Sequence, residues 1–194
     1  MKRGRLFLVV GPSGAGKDSI LEAARTILRH DRRFLFPRRV ITRPEEAGGE
    51  NHIASSLDTF EQIRRSGGFA LSWQAHDLSY GIPAAIHADL EDGFHVVANV
   101  SRSVIEEARR RLAPVTVIVI TAEPEILAER LAARGRESAE DIAARLRRAG
   151  AYLPDGPDVA VINNSGSLGQ AVSRFLSLLS EEAQPADAEA PDPR

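Results

Sequence analysis

Three features predict an α/β fold in which a parallel sheet is covered by helices on both faces. Short apolar runs rich in β-branched residues alternate with amphipathic stretches at close spacing. The first run, LFLVV, is halted by a glycine loop that opens into a helix. A later run, VTVIVIT, is apolar on both of its faces, as strands buried in parallel sheets are. The pattern lapses between about residues 38 and 80, which reads as a small inserted lobe.

Arg5 to Val10 reads as the first buried strand. Asp18 to His30 follows as a helix, with Ile20, Leu21, Ala24, Ile27 and Leu28 forming its apolar stripe. Phe34 to Thr42 reads as one arginine-crowded strand, and Pro44 to Ser56 as a polar loop. Asp58 to Ser66 is predicted helical with Phe60 and Ile63 inward, and Gly67-Gly68 stops it. Phe69 to Trp73 reads as a strand, followed by a loop ending in Tyr80-Gly81. Ala84 to Asp92 is a short helix candidate, Phe94 to Val100 a strand, and Ser101 to Leu112 a helix. Val115 to Thr121 is the clearest strand, and Pro124 suits the first turn of a helix continuing through Ala133. Glu140 to Ala151 reads as helix, Val159 to Asn163 as the final strand and Ser167 to Ser180 as the closing helix. Residues 181–194 hold five acids, three prolines and one arginine, the composition of a disordered acidic tail.

The absence of cysteine excludes disulfides and thiolate metal sites, and the five histidines show no zinc spacing. A formal net charge of −2 argues against bulk nucleic-acid binding; without the tail's −4 the body carries about +2, compatible with anionic small substrates. The leading apolar run is too short for a signal peptide, and no segment has the ~20 apolar residues of a membrane span. A cytoplasmic protein without membrane or nucleic-acid partners is expected, and a homodimer is as open as a monomer.

Gly11-Pro12-Ser13-Gly14-Ala15-Gly16-Lys17 fits GxxxxGK in the strand-to-helix context that gives this motif its meaning. Glycines let the backbone curl so that successive N–H groups converge on phosphate oxygens, and the helix N-terminus adds partial positive charge. Lys17 can follow the charge that moves during phosphoryl transfer. The residue after the lysine, commonly a hydroxyl that binds magnesium, is Asp18, with Ser19 next. Direct magnesium ligation by Asp18, contact through water, and use of Ser19 are all open. The plainer reading of Asp18 is an acid complementing the helix dipole.

With GPSGAGK, Thr42-Arg43-Pro44, Phe69 with Trp73, Tyr80-Gly81 and RLAARGR in this order, the chain resembles the guanylate kinase family over most of residues 5 to 180. The resemblance implies a P-loop nucleoside-monophosphate-kinase-like three-layer fold over residues 1–180. It implies an acceptor-binding lobe at about 38–80, a lid at about 134–148, and the use of ATP and magnesium. The GPSGAGKDS form resembles a branch whose acceptor is ribose 1,5-bisphosphate, phosphorylated to 5-phosphoribosyl 1-diphosphate during phosphonate breakdown. Guanylate kinases hold the guanine edge with acidic side chains. At those places this chain has Ser72 and Asn99, which offer no carboxylate to the base N–H groups. A sugar bisphosphate is therefore expected as acceptor, ahead of a nucleotide monophosphate or a non-catalytic interaction module.

Arg43 matches the family's phosphate-binding arginine, Tyr80 a phosphate contact, and His52 the place of a phosphate-gripping tyrosine. Arg38 and Arg39 can extend that grip through paired hydrogen bonds, or be solvated surface residues. Glu50, Asn51, His76 and Asp77 supply further polar groups in the lobe, whereas Trp73 and Phe69 read as lobe core. Asn99 and Arg102 stand at a strand's carboxyl end, where parallel sheets bind ligands. No clear acid follows the run FHVVANV to serve as a second magnesium ligand. Arg130, Arg134, Arg136, Arg145 and Arg148 surround Gly135, an arrangement suited to a lid closing over the transferring group, or to a solvated surface. The resemblance favours the lid reading for Arg134, Arg136 and Arg145. Asn163 and Asn164 follow the last strand; Asn164 is a candidate for the adenine loop, with turn formation as the alternative.

Overall fold

The computed structural model describes residues 2–44, 51–133 and 154–183. The first apolar run forms β1 (Leu6–Val10), every residue of which is buried. It is central in a five-stranded parallel sheet. On one side lie β7 (His95–Asn99) and then β2 (Phe34–Leu35); on the other lie β8 (Val115–Thr121) and β9 (Val159–Asn163). Alternation along β1 sends Leu6, Leu8 and Val10 to one core and Phe7 and Val9 to the other. The second core is closed by α1 (Lys17–Ile27), α5 (Pro124–Ala133) and α6 (Leu168–Ala183), through residues such as Ile20, Leu127 and Phe175. The first is closed by α3 (Ile86–Glu91) and α4 (Ile105–Arg111), through Ile86, Leu90, Ile105 and Ala108. The three-layer parallel architecture expected from the sequence is thus present.

The stretch expected as one strand, Phe34 to Thr42, is two. β2 pairs with β7 in the main sheet, and β3 (Val40–Ile41) belongs to a second sheet, in the order β4 (Ile53–Ala54), β3, β6 (Leu78–Pro83), β5 (Phe69–Ala75). Pro37 lies in the break; it has no N–H for a ladder, and the chain leaves the body there. The stretch expected as a polar loop, Pro44 to Ser56, contains β4, which pairs parallel with β3. α2 (Leu57–Arg65) starts at Ser56, whose Oγ accepts from the Thr59 amide at 3.1 Å and so caps the helix.

The expected loop before Tyr80-Gly81 is mostly hairpin. β5 (Phe69–Ala75) and β6 (Leu78–Pro83) are joined by His76 and Asp77 alone, at φ +52° and +60°. Two consecutive residues with positive φ give the two-residue turn that matches strand twist. Ala70, Leu71 and Ile82 bury themselves in the first core, fastening this lobe to the body. Other boundaries differ too, and α1 ends at Ile27, short of the expected His30. A 3-10 turn at Arg102–Val104 precedes α4, and α6 runs through Glu181 and Glu182 to Ala183. The rest of the tail, the expected helix from Glu140 to Ala151, and the lid lie outside the described residues.

Candidate active site

The carboxyl ends of β1 and β7 open into a cleft of about 310 Å³ roofed by the β5–β6 hairpin. The glycine loop forms its floor. Gly11 has φ +146°, and a Cβ there would stand 2.1 Å from the Ile120 carbonyl oxygen. Gly16 has φ +89°, and a Cβ there would stand 2.4 Å from Asn164 Nδ2. Both positions therefore require glycine, for backbone conformation and for space. Lys17 folds back over the loop, its Nζ donating to the Gly11 and Pro12 carbonyls at 2.8 and 3.0 Å.

The back of the loop is held by Asn164, which is buried. Its Nδ2 donates to the Ala15 carbonyl at 2.7 Å and its backbone N–H to the Thr121 carbonyl at 2.7 Å. Arg130 Nη2 donates to the Asn164 carbonyl at 2.9 Å, so this arginine braces the loop from behind. Helical spacing had grouped Arg130 with the lid; the structure places it at this brace, because the carbonyl after β9 lies within its reach. Sequence offered little signal for that role, since the pair is 34 residues apart.

The facing wall is a chain of contacts from the lobe to the loop. Trp73 and Tyr80 are cross-strand neighbours whose rings stack at 5.4 Å with an interplanar angle of 3°. The Arg39 guanidinium lies 5.4 Å from the Tyr80 ring centroid and donates to the Asn99 carbonyl at 3.3 Å. Asn99 Nδ2 in turn donates to Asp18 Oδ1 at 2.8 Å. Arg39, Tyr80, Asn99, Arg102, Lys17 and Asp18 thus line one cleft, and Trp73, read as lobe core, lines it with them.

The remaining candidates are elsewhere. Ser19 opens into a neighbouring recess, shared with Asp18, Arg39 and Asn99. Arg43 lines a shallower recess on the lobe with Thr42, Pro44 and Ser55. His52 is buried, its Nε2 3.1 Å from the Arg43 carbonyl oxygen, where it braces the strand end. Arg134, Arg136, Arg145, Arg148 and Glu50 lie outside the described residues.

The cleft fits a nucleoside triphosphate with magnesium. The curled loop and Lys17 suit a polyphosphate. Among the described residues no group of three His, Cys, Asp or Glu side chains is placed to hold a metal. Asp18 offers a carboxylate, the oxygen chemistry magnesium takes, and such an ion would draw its other ligands from phosphates and water.

A family model described as Guanylate kinase matches residues 3–182. The chain belongs to the guanylate kinase family. It is 53% identical over 178 residues to a ribose 1,5-bisphosphate phosphokinase PhnN of Acidiphilium cryptum, covering 92% of this chain and 93% of that protein. It is 44% identical over 191 residues to a bifunctional ribose 1,5-bisphosphokinase-thymidine phosphorylase of Cupriavidus necator, covering 98% of this chain. The chain spans only 31% of that bifunctional relative's length. The crystal structure of a guanylate kinase from Anaplasma phagocytophilum superposes over 96% of this chain with a TM-score of 0.66 at 18% identity, a likeness of fold. No helix among the described residues is long and apolar enough to cross a membrane.

Proposed function

We propose that the chain transfers the γ-phosphoryl group of ATP to the 1-phosphate of ribose 1,5-bisphosphate, giving ADP and 5-phosphoribosyl 1-diphosphate. The observation that carries this reading is the wall opposite Lys17. It presents Arg39 and Arg102 to an anion and a carboxamide, Asn99, where guanine recognition calls for a carboxylate. Phosphonate degradation is the setting this reaction suits, and the two relatives' names support the same acceptor.

The acceptor phosphate oxygen already carries charge, so no general base is needed. That oxygen forms a bond to the γ-phosphorus as the bond from phosphorus to the ADP oxygen breaks, with no proton to place. The protein's work is alignment and neutralisation of charge. The loop amides and Lys17 hold the triphosphate, and Arg39 with Arg102 orients the acceptor. Tyr80 and Trp73 fix the plane of Arg39, and Asn99 holds Asp18 in position. Asp18, with Ser19 one residue away, would hold magnesium, which would add neutralisation of the phosphate oxygens. The family resemblance assigns Arg134, Arg136 and Arg145 a part in neutralising the transferring group, and Arg43 and His52 support the acceptor lobe.

Steady-state kinetics with ATP and magnesium test the acceptor. The expected kcat/KM for ribose 1,5-bisphosphate exceeds that for GMP by at least about 100-fold, the discrimination that unmet hydrogen-bond donors impose. Efficient GMP turnover without reaction of the sugar bisphosphate would reject the proposal.

A further inference from the structure

A second recess of about 560 Å³ lies between α1 and the segment that leads from β2 into the lobe. It shares Asp18, Arg39 and Asn99 with the first cleft, so the two are compartments separated by those side chains. Arg25, from the last turn of α1, and Arg38, beside the exit at Pro37, open into it. Their bonds are weak ones. Arg25 meets Glu22 at 3.9 Å, with their side chains 44% and 65% exposed, and Arg38 donates to Asn51 at 3.4 Å. Either contact is easily exchanged for a phosphate.

A molecule with an anion at each end needs two cationic compartments about one sugar apart, and one cleft facing the glycine loop provides one of them. We infer that this second recess takes the non-reacting phosphate of the acceptor, with Arg25 and Arg38 as its ligands and Arg39 between the two ends. The inference rests on the sugar-bisphosphate reading. It assigns the 1-phosphate to the loop side and the 5-phosphate to the α1 side. Glu22 lines the same recess and releases Arg25 when the phosphate enters. A nucleoside monophosphate, with one phosphate, has no use for the second compartment. Arg25 thereby favours acceptors that carry a 5-phosphate apart from the reacting end.

Calorimetric titration of the full chain with ribose 1,5-bisphosphate, ribose 5-phosphate and ribose 1-phosphate tests this. Arg25→Ala is expected to weaken the first two by about tenfold or more, the worth of a charge-assisted hydrogen bond, and to leave ribose 1-phosphate and ATP at wild-type affinity. Arg25→Lys recovers part of the loss. Unchanged affinity for ribose 1,5-bisphosphate in Arg25→Ala, or an equal loss for ribose 1-phosphate, overturns the assignment. A wild-type protein that binds the bisphosphate through Arg25 but does not phosphorylate it keeps the site and rejects the proposed reaction. Failure to bind any of the three ligands overturns both.

Discussion

Single residues carry the strictest demands. Gly16→Ala places a methyl against the Asn164 amide and forces a left-handed conformation on an alanine. It is expected to cost about 1–3 kcal/mol, read as a melting temperature lower by several degrees, with ATP turnover lost. Lys17→Ala leaves the loop's glycines intact and removes the mobile charge together with its bonds to the Gly11 and Pro12 carbonyls, so kcat falls by about 100- to 1,000-fold while the protein still folds. His95 gives the fold a pH dependence. Burial, followed by the charges of Arg33 and Arg5, lowers its proton affinity below the ordinary histidine value, and its Nδ1 accepts the Arg5 amide at 3.0 Å. The unfolded chain takes up a proton at this ring below about pH 6.5 while the folded chain resists it. Stability is therefore full above that pH and declines as the pH falls toward the folded value. Urea midpoints at pH 7.5 and 5.0 should differ less in His95→Gln than in wild type. The glycine loop was legible in the sequence because its chemistry is local. The Asn164 and Arg130 brace was not, because it joins residues far apart in the chain.

Elements turn these residues toward one another. The sequence signals for strands and helices were legible wherever burial on both faces or a helical stripe was strong, and Val115–Thr121 and Val159–Asn163 have the expected bounds. The lobe was harder to read. Pro37 divides one apparent strand between two sheets, and an apparent loop is the turn and second strand of a hairpin. In short strands, pairing partners decide the structure, and those are remote in sequence. That same hairpin brings Trp73 against Tyr80, so an aromatic that packs on the first core is also part of the cleft wall. Trp73→Ala removes the face on which Tyr80 rests and loosens Arg39. Stacking of this kind is worth about 0.5–1.5 kcal/mol, which sets an expected rise in acceptor KM of about two- to tenfold. The ATP KM should stay unchanged; an equal rise in both would count against Tyr80 and Arg39 acting on the acceptor.

At the scale of the whole molecule, a two-core body carries the loop while the lobe is fastened through a few residues, Ala70, Leu71 and Ile82. Removing the buried ring of Phe175 leaves a cavity in the second core. Phe175→Ala should cost about 3–5 kcal/mol, read as a lower denaturant midpoint with the slope unchanged. Fold and phosphate loop were readable from sequence because they repeat one pattern of strand, loop and helix. The acceptor wall was only partly readable: Arg39, Tyr80 and Asn99 were identifiable one by one, but their contact depends on the sheet order. The central claim is that two anions meet in this cleft, one on the glycine loop and one on the arginine wall. Phosphorus NMR of a reaction containing the protein, ATP, magnesium and ribose 1,5-bisphosphate tests it most directly. The account predicts two new mutually coupled resonances from a diphosphate at C1, beside an unaltered 5-phosphate; hydrolysis of ATP to inorganic phosphate with the sugar bisphosphate unchanged would contradict it.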